Sequence, residues 1–435
     1  MCNKIKYMNL KRLIIPLGLM LFLGNIQAQS NQDATPLTTV SLTECYDWAR
    51  LNYPLIAKLD LLEKSTQYSL SNAAKGNLPQ ININGQATYQ SEVTELPIDL
   101  PNLEVPTISK DQYKVYAEVY QPLTNFSAVN AQKQQLTING QIEQQKVEID
   151  LYPLKDRINQ IYFGILLMEV KKEQLSLAET DIDSTLARLE AAIQNGTATL
   201  MDKQLLAVEK ININQQLYEN ESNKEAFLQM LSALTGKIIH STTTFTRPEV
   251  ILPNVIVNRP ELNLLSLQEQ LVDAQVSQLR TRNIPTLGLF VQGGMGRPAL
   301  NFLSNDFAPY YIAGLKFNWN LSNRYTTKND RQKFAIQRQL INNQRETFLL
   351  NTGITQSQQF LAVTKYKELL SSDQQVVNLR EEIKKTAEVQ LVNGLITTID
   401  YIKIINDASR AKQQLELHEI MLLQAQYNLK TTTGN

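Results

Sequence analysis

The chain has 435 residues, which is enough for one large hydrophobic core or for several domains. Lysine plus arginine and aspartate plus glutamate both number 42, so no excess of positive charge points to nucleic-acid binding. Aromatic residues make up only 7% of the chain, and Gln and Asn are abundant. That composition is typical of long helices with polar faces rather than of a compact enzyme.

Residues 1–28 are predicted to form a secretory signal peptide. Basic residues up to Arg12 precede the apolar run Leu13–Leu23, and Ala28 ends a small-residue cleavage site. The run is short for a membrane anchor, and no second run of that length follows it, which argues against a helical inner-membrane protein. Cys45 is then the one cysteine left, so it is expected to be a small buried apolar residue rather than half of an internal disulfide.

Residues 29–78 are predicted to form N-terminal helices, because their apolar side chains recur three, four or seven positions apart. Ser41 followed by Glu44 is the pattern of a capping box. The sequence Asn52-Tyr53-Pro54 is expected to divide the segment into two helices, because proline cannot continue helical hydrogen bonding.

In residues 79–124 the hydrophobic period changes to two, which predicts the first strand hairpin. Between Ile81 and Tyr89 apolar or small residues alternate with Asn, Gln and Thr. A proline-rich loop, Pro97–Pro106, leads to a second alternating segment that begins at Tyr113. Each strand is therefore expected to have one apolar and one polar face.

Residues 125–236 are predicted to form a hairpin of two long helices. The helical pattern that begins at Phe126 covers roughly 68 residues, or about 100 Å at 1.5 Å per residue. Pro153 is expected to kink this helix or to end a shorter one. Asn195-Gly196 is predicted to reverse the chain, and a return helix follows as far as Leu234.

The second half of the chain repeats the first. After a linker at 237–257, with strand character from Ile251 to Val257, the sequence Asn258-Arg259-Pro260 matches Asn52-Tyr53-Pro54. The repeated units are predicted to be a helix at 258–284, a second strand hairpin at 285–322 and a second helix hairpin at 323–435. The sequence is therefore interpreted as a tandem duplication of strand, strand, long helix and return helix.

Four strands with one apolar face cannot close a barrel, and open sheet edges are not tolerated in lipid. Several copies of the chain could close one barrel together, with the apolar face toward lipid and the polar face lining a lumen. Glu118 and Lys316 occupy corresponding polar-face positions. Tyr113, Tyr311 and Trp319 lie near strand ends, as in an aromatic girdle at the membrane interface. The alternative is a soluble sandwich whose apolar face packs in a core.

The chain resembles the TolC-like outer-membrane efflux channels. The resemblance rests on the duplicated Asn-x-Pro and Leu/Ile-Pro approaches to the strands, on Gln121-Pro122-Leu123 at a strand end, and on a Gly followed six residues later by Asp after each long helix. It implies a mixed α/β membrane protein of the cell outer membrane. Three chains, each with four strands, would form a 12-stranded β-barrel continued by a periplasmic coiled-coil tunnel.

The resemblance also implies a function and partners. The homotrimer would be embedded in outer-membrane lipid and would dock on a periplasmic membrane-fusion adaptor and an inner-membrane pump. It would be the passive exit duct of a tripartite efflux or type I secretion system. The competing hypothesis is an exported coiled-coil scaffold or adhesion protein.

The helix-hairpin tips are the predicted functional sites. In the resembled family the pore narrows there, which makes Asp202 and Asp400 candidate gate residues, with Lys403 one turn further where some members have a second acid. The alternative is that both aspartates only cap their helices. The predicted adaptor contacts are the turn residues Asn195, Gly196, Asn393 and Gly394.

No catalytic, metal or cofactor site is predicted. His240 and His418 are far apart in sequence, and neither has metal-ligand spacing around it. The segment Gly293–Gly296 has no Lys-Ser/Thr partner and so is not a phosphate-binding loop. It is interpreted as a strand end where backbones approach closely.

Overall fold

The computed structural model describes residues 38–94, 108–196, 198–251 and 256–435. The predicted signal peptide and the Pro97–Pro106 loop lie outside these described residues. Helices dominate the fold, and the two helix hairpins contain the longest of them. The α-helices are α1 Leu42–Asn52, α2 Ala57–Ala74, α3 Phe126–Leu151, α4 Pro153–Gln194, α5 Leu200–Thr235, α6 Pro260–Thr281, α7 Asn323–Val392 and α8 Thr398–Thr433.

Two sheets are present in the described part of the chain. The strands are β1 Thr39–Val40, β2 Gln80–Tyr89, β3 Asp111–Pro122, β4 Thr244–Phe245, β5 Thr286–Arg297 and β6 Ala308–Asn318. The four long strands form an antiparallel sheet in the order β2-β3-β5-β6, which joins the two predicted hairpins side by side. The short strands β1 and β4 pair in parallel.

The short parallel pair includes a linker strand that the sequence did not predict. Strand character was expected at Ile251–Val257, but Ile251, Ile256 and Val257 are not in a strand, and 252–255 lie outside the described residues. The strand found in the described part of the linker is Thr244–Phe245. A two-residue strand has too few positions to show a period of two, so alternation could not find it.

The first helix begins as predicted. The Glu44 backbone N–H donates to Ser41 Oγ at 3.3 Å, and the Ser41 N–H donates to the Glu44 carboxylate at 2.8 Å, which forms a complete capping box. Cys45 is fully buried, as expected, and burial raises the pKa of its thiol to about 12. The thiol is therefore protonated at neutral pH.

Pro153 starts a new helix, and the residue before it keeps a helical backbone conformation. It occupies the first position of α4, and Tyr152 before it keeps helical backbone angles of φ −61° and ψ −42°. Proline is tolerated there because its missing N–H would be unpaired at a helix start. The second half of the chain has no such break, since α7 runs for 70 residues, or about 105 Å along its axis.

The helices form two layers that are each four helices wide. Near the sheet, α2 packs on α3, α3 on α6, and α6 on α7. Toward the hairpin tips, α5 packs on α4, α4 on α8, and α8 on α7. Each layer therefore has an outer helix from the first half of the chain, α2 or α5, and the other outer helix is α7.

The largest core cluster lies where the layers meet, around β1 and β4. Tyr162 of α4 is fully buried, and its hydroxyl lies 2.9 Å from the Val40 carbonyl and 2.7 Å from the Thr246 carbonyl. A buried hydroxyl needs such a partner, because burial without one costs free energy. This tyrosine therefore fixes the small sheet onto the long helices.

The Asn-x-Pro sequences meet the ends of the return helices in both halves. Gly236 after α5 has φ +68°, and a Cβ there would lie 2.4 Å from Asn52 Oδ1. Gly434 after α8 has φ +85°, and a Cβ would lie 2.3 Å from the Asn258 carbonyl oxygen. Both glycines are thus required by the left-handed backbone and by the close approach.

We expect Gly236→Ala to destabilise the fold by about 2 kcal/mol, because alanine is strained at positive φ and its Cβ would contact Asn52. Gly353→Ala is the matched control, since Gly353 lies inside α7 with open space around its Cβ position. That change should leave stability unchanged or raise it by up to about 1 kcal/mol. Thermal unfolding followed by circular dichroism measures both, and equal losses would contradict the assignment.

Candidate functional site

The four-stranded sheet has one apolar face that is exposed in the single chain. Odd-numbered residues form this face on all four strands, and they include Ile83 (80% exposed) and Tyr311 (80% exposed). The charged residues on this face in the described strands are Asp111 and Arg297, which form an ion pair with each other at one strand end. A continuous apolar face of this kind indicates an unoccupied contact surface.

The opposite face is more sheltered, and its residues have even numbers. Three of the four residues in its middle row are polar: Asn82 lies opposite Glu118, and Glu118 lies opposite Gln292, which donates a hydrogen bond to its carboxylate. Ile312 completes the row on β6. On either side of this row are aromatic rings, namely Tyr116, Tyr120, Phe290 and Tyr310. The polar face predicted from the sequence therefore also carries aromatic surface.

Glycines make room for these rings. A Cβ on Gly288 would lie 2.4 Å from the Tyr120 ring, and one on Gly314 would lie 3.1 Å from Phe290. Gly294, in the glycine-rich segment, has the Val115 carbonyl oxygen 2.2 Å from its Cβ position. The Tyr120 and Phe290 rings therefore lie over glycines of the neighbouring strands.

The three predicted interface aromatics lie at two opposite ends of the sheet. Tyr113 and Tyr311 are near the ends joined by loops, and both are exposed. Trp319 follows β6 at the end joined to the helices, where its indole N–H donates to the Asn283 carbonyl at 3.2 Å. Sequence reasoning missed Phe307, whose ring centroid lies 6.1 Å from that of Tyr113.

The two helix-hairpin tips have the same turn geometry. Asn195 has backbone angles φ −87° and ψ 2°, and Asn393 has −87° and 3°. Gly196 and Gly394 follow with φ +75° and +70°. The Asn-Gly pairs are thus true chain reversals, as the sequence predicted, and a side chain in place of either glycine would be strained.

Asp202 and Asp400 complete capping boxes. Asp202 accepts from the Thr199 N–H at 3.0 Å and the Thr199 hydroxyl at 2.7 Å, and Asp400 accepts from the same groups of Thr397 at 3.2 and 2.6 Å. These hydrogen bonds hold the pKa of both carboxyls below the ordinary range. Lys403 is exposed one turn along and lowers the pKa of Asp400 slightly further.

Two ion pairs join the first helix hairpin to the second. Lys384 of α7 lies 2.9 Å from Asp181 of α4, and Arg188 of α4 lies 3.4 Å from Glu388 of α7. Burial lowers the pKa of Lys384, but hydrogen bonding to Asp181 and its charge outweigh burial and raise it overall. Sequence reasoning missed both pairs, because nothing local links charges that are so far apart along the chain.

The remaining candidates give no centre for chemistry. His418 joins α8 to α7 through a 2.5 Å contact with Asp373, which is a packing role. No cluster of metal-ligating side chains exists among the described residues. Within the same residues, no helix is both long and apolar enough to span a membrane.

The two-faced four-stranded sheet with its long helix hairpins is the fold of outer-membrane channels. The VceC outer membrane protein of Vibrio cholerae has 14% sequence identity and a TM-score of 0.62, with 91% of this chain and 96% of that chain covered. The CmeC outer membrane channel of Campylobacter jejuni has 13% identity and a TM-score of 0.60, with 90% and 85% covered. The resemblance predicted from the sequence is therefore confirmed at the level of the fold.

A third solved structure, the open state of the MtrE outer membrane channel of Neisseria gonorrhoeae, has 12% identity and a TM-score of 0.60, with 91% of this chain and 89% of that chain covered. No family model matches the sequence, and no curated protein matches it. The likeness to known proteins thus lies in the fold rather than in recognisable sequence.

The capping boxes make tip stability depend on pH. A carboxyl with a lowered pKa in the folded state stabilises it above the ordinary aspartate pKa of about 3.9, and the stabilisation disappears as pH falls through the lowered value. Hydrogen exchange of the first amides of α5 and α8 should therefore speed up as pH falls below about 4, after correction for intrinsic exchange rates.

The double variant Asp202→Asn with Asp400→Asn serves as the control for this dependence. Its tip amides should exchange faster at neutral pH and should lose the acid-induced increase, because an amide cannot titrate. A variant that keeps the full pH response would show that other groups control the tips.

Proposed function

We propose that three copies of this chain form an outer-membrane exit channel, with the sheet in the lipid and the helix hairpins in the periplasm. The observation that carries the proposal is the four-stranded sheet with one apolar face and two open edges. The fold shared with outer-membrane channels supports the same location. Substrate would pass from an inner-membrane pump through this duct, as in efflux or type I secretion.

The sheet edges require other copies of the chain. β2 and β6 are the outer strands, and each has an edge without a partner strand in the described residues. Unpaired backbone groups cannot remain in lipid, which leaves closure into a barrel as the solution. Three chains with four strands each give 12, an even number within the range of bacterial barrels.

The dimensions of the sheet fit a membrane. The four strands have 10 to 12 residues, and about 9–11 tilted residues cross the hydrocarbon region. The exposed apolar face would contact acyl chains. Tyr113 and Tyr311 at one end and Trp319 at the other would lie at the two interfaces.

The outer helices carry apolar side chains on the faces that point away from their own chain. On α7 Ile354 is 60% exposed and Leu361 is 67% exposed, two turns apart. On α5 Ile211 and Tyr218 are exposed at the same spacing, and on α2 Leu61 and Tyr68 are. α7 of one copy would therefore pack on α2 and α5 of the next, a head-to-tail contact that closes into a ring.

The tips would form the gate and the docking site. Asp202 and Asp400 stay charged because their hydrogen bonds favour the ionised form, so three copies would ring the entrance with acids. The nearby ion pairs of Asp181 and Arg188 would hold the two hairpins together in the closed state. The adaptor would contact the exposed turns at Asn195–Gly196 and Asn393–Gly394.

Ile354→Asp combined with Leu361→Asp should abolish the trimer, because two charges per chain would have to be buried in each contact. The fold of the single chain should persist, since both side chains are exposed within it. Light scattering after size-exclusion chromatography in detergent, together with gel mobility with and without heating, measures the assembly.

The matched control adds the same charges on other faces of the same helix. Gln344→Asp with Thr355→Asp changes two exposed residues that lie about 100° around the helix from Ile354 and Leu361, and should leave the trimer intact. A wild type that stays monomeric, or that fractionates without detergent, would contradict the channel and favour an exported scaffold.

Lys384→Gln with Arg188→Gln should open the channel more often. Each partly exposed pair is worth about 0.5 kcal/mol, so losing two shifts the closed-to-open ratio about fivefold per chain. Single-channel conductance in planar bilayers measures the open fraction. Lys210→Gln is the control, because its 2.6 Å pair with Asp183 lies within one hairpin and should not affect opening. If the control raised the open fraction equally, the two ion pairs between the hairpins would not be what keeps the channel closed.

A further inference from the structure

The sheltered face of the sheet carries an unequal set of charges. In the described strands its charged residues are Lys114, Glu118 and Lys316, so each chain contributes one net positive charge. The remaining polar groups on this face are amides and hydroxyls. On the lipid-facing side Asp111 and Arg297 cancel each other. In the proposed trimer the barrel lumen would thus hold three net positive charges.

Both lysines are held against the wall by aromatic rings. The Lys114 ammonium lies 5.2 Å from the centroid of the Tyr310 ring, and that of Lys316 lies 5.9 Å from the Tyr120 ring. Neither ammonium group is within 4.0 Å of a carboxylate among the described residues. Their charges are therefore available to an ion in the lumen, and the two lysines of each chain outnumber the single carboxylate of Glu118.

The lysines also lie far apart along the barrel. Lys114 is paired across the sheet with Gly296, and Lys316 with Gly288, which puts eight residues of β5, or about 26 Å, between the two rows. That separation exceeds the Debye length of about 8 Å at physiological ionic strength. A passing ion would meet two positive belts with one acidic belt of equal size between them.

We propose that the barrel lumen selects anions, and that its preferred cargo is an organic anion with an aromatic or apolar part. The aromatic part would slide along the flat rings of Tyr120 and Phe290, which Gly288 and Gly314 allow to lie close to the wall. The acidic part would be attracted by Lys114 and Lys316. This inference rests on the proposed trimeric channel and names the chemistry of its cargo.

The test compares the permeability ratio of K⁺ to Cl⁻ in planar bilayers containing the full-length trimer, from reversal potentials in a KCl gradient. Lys114→Gln with Lys316→Gln should raise the ratio about twofold or more, and Glu118→Gln should lower it. Lys146→Gln is the control, because Lys146 is an exposed residue of α3 outside the sheet and should leave the ratio unchanged. All variants keep the tip acids, so differences in the permeability ratio arise from the barrel residues.

A second measurement adds benzenesulfonate or benzylammonium to the bath on the loop side of the barrel. Benzenesulfonate should block the wild-type current at lower concentration than benzylammonium, and the lysine variant should lose this preference. Unchanged ratios and unchanged block in conducting lysine variants would overturn the inference while leaving the channel in place. A chain that neither trimerises nor conducts would instead overturn the proposed function itself.

Discussion

The backbone hydrogen bonds of the two outer strands are the constraint on which the proposed assembly depends. β2 and β6 each present one row of unpaired N–H and C=O groups in the described residues, and the sheet between them has an apolar face of membrane height. In lipid these groups can be satisfied only by another strand. The chain would then be unable to exist in a membrane as a monomer, and the barrel would set the symmetry of everything attached to it.

The helices continue the same arrangement away from the sheet. Each helix layer is four helices wide, with a helix from the first half of the chain at one edge and α7 at the other. The sheet is likewise four strands wide, with β2 from the first half at one edge and β6 from the second half at the other. The contacts of Gly236 with Asn52 and of Gly434 with Asn258 connect the return helices back to the start of each half. The outer strands and the outer helices thus follow the same order around the chain, so one rotation between copies could pair the strand edges and pack the outer helices.

Local patterns in the sequence predicted most elements and both tips. The period of two located the strands because one face of each is apolar along most of its length, and Asn-Gly located the turns because glycine readily adopts the positive φ. The β3–β5 pairing, the β1–β4 strands and the Asp181–Lys384 pair could not be read in this way. They join residues distant in sequence, and neither periodicity nor capping chemistry carries information on such contacts.

The tip aspartates can cap their helices and also supply negative charge to a pore. The hydrogen bonds of Thr199 and Thr397 both go to one carboxylate oxygen, Oδ2, and they stabilise the ionised form. A capping box therefore fixes a negative charge at the tip instead of neutralising it. In the proposed trimer, acids at the periplasmic entrance and lysines in the barrel would lie about one long helix apart. That distance is much greater than the Debye length, so the two sets of charges would be screened from each other. The entrance and the exit of the duct would then discriminate by opposite charge.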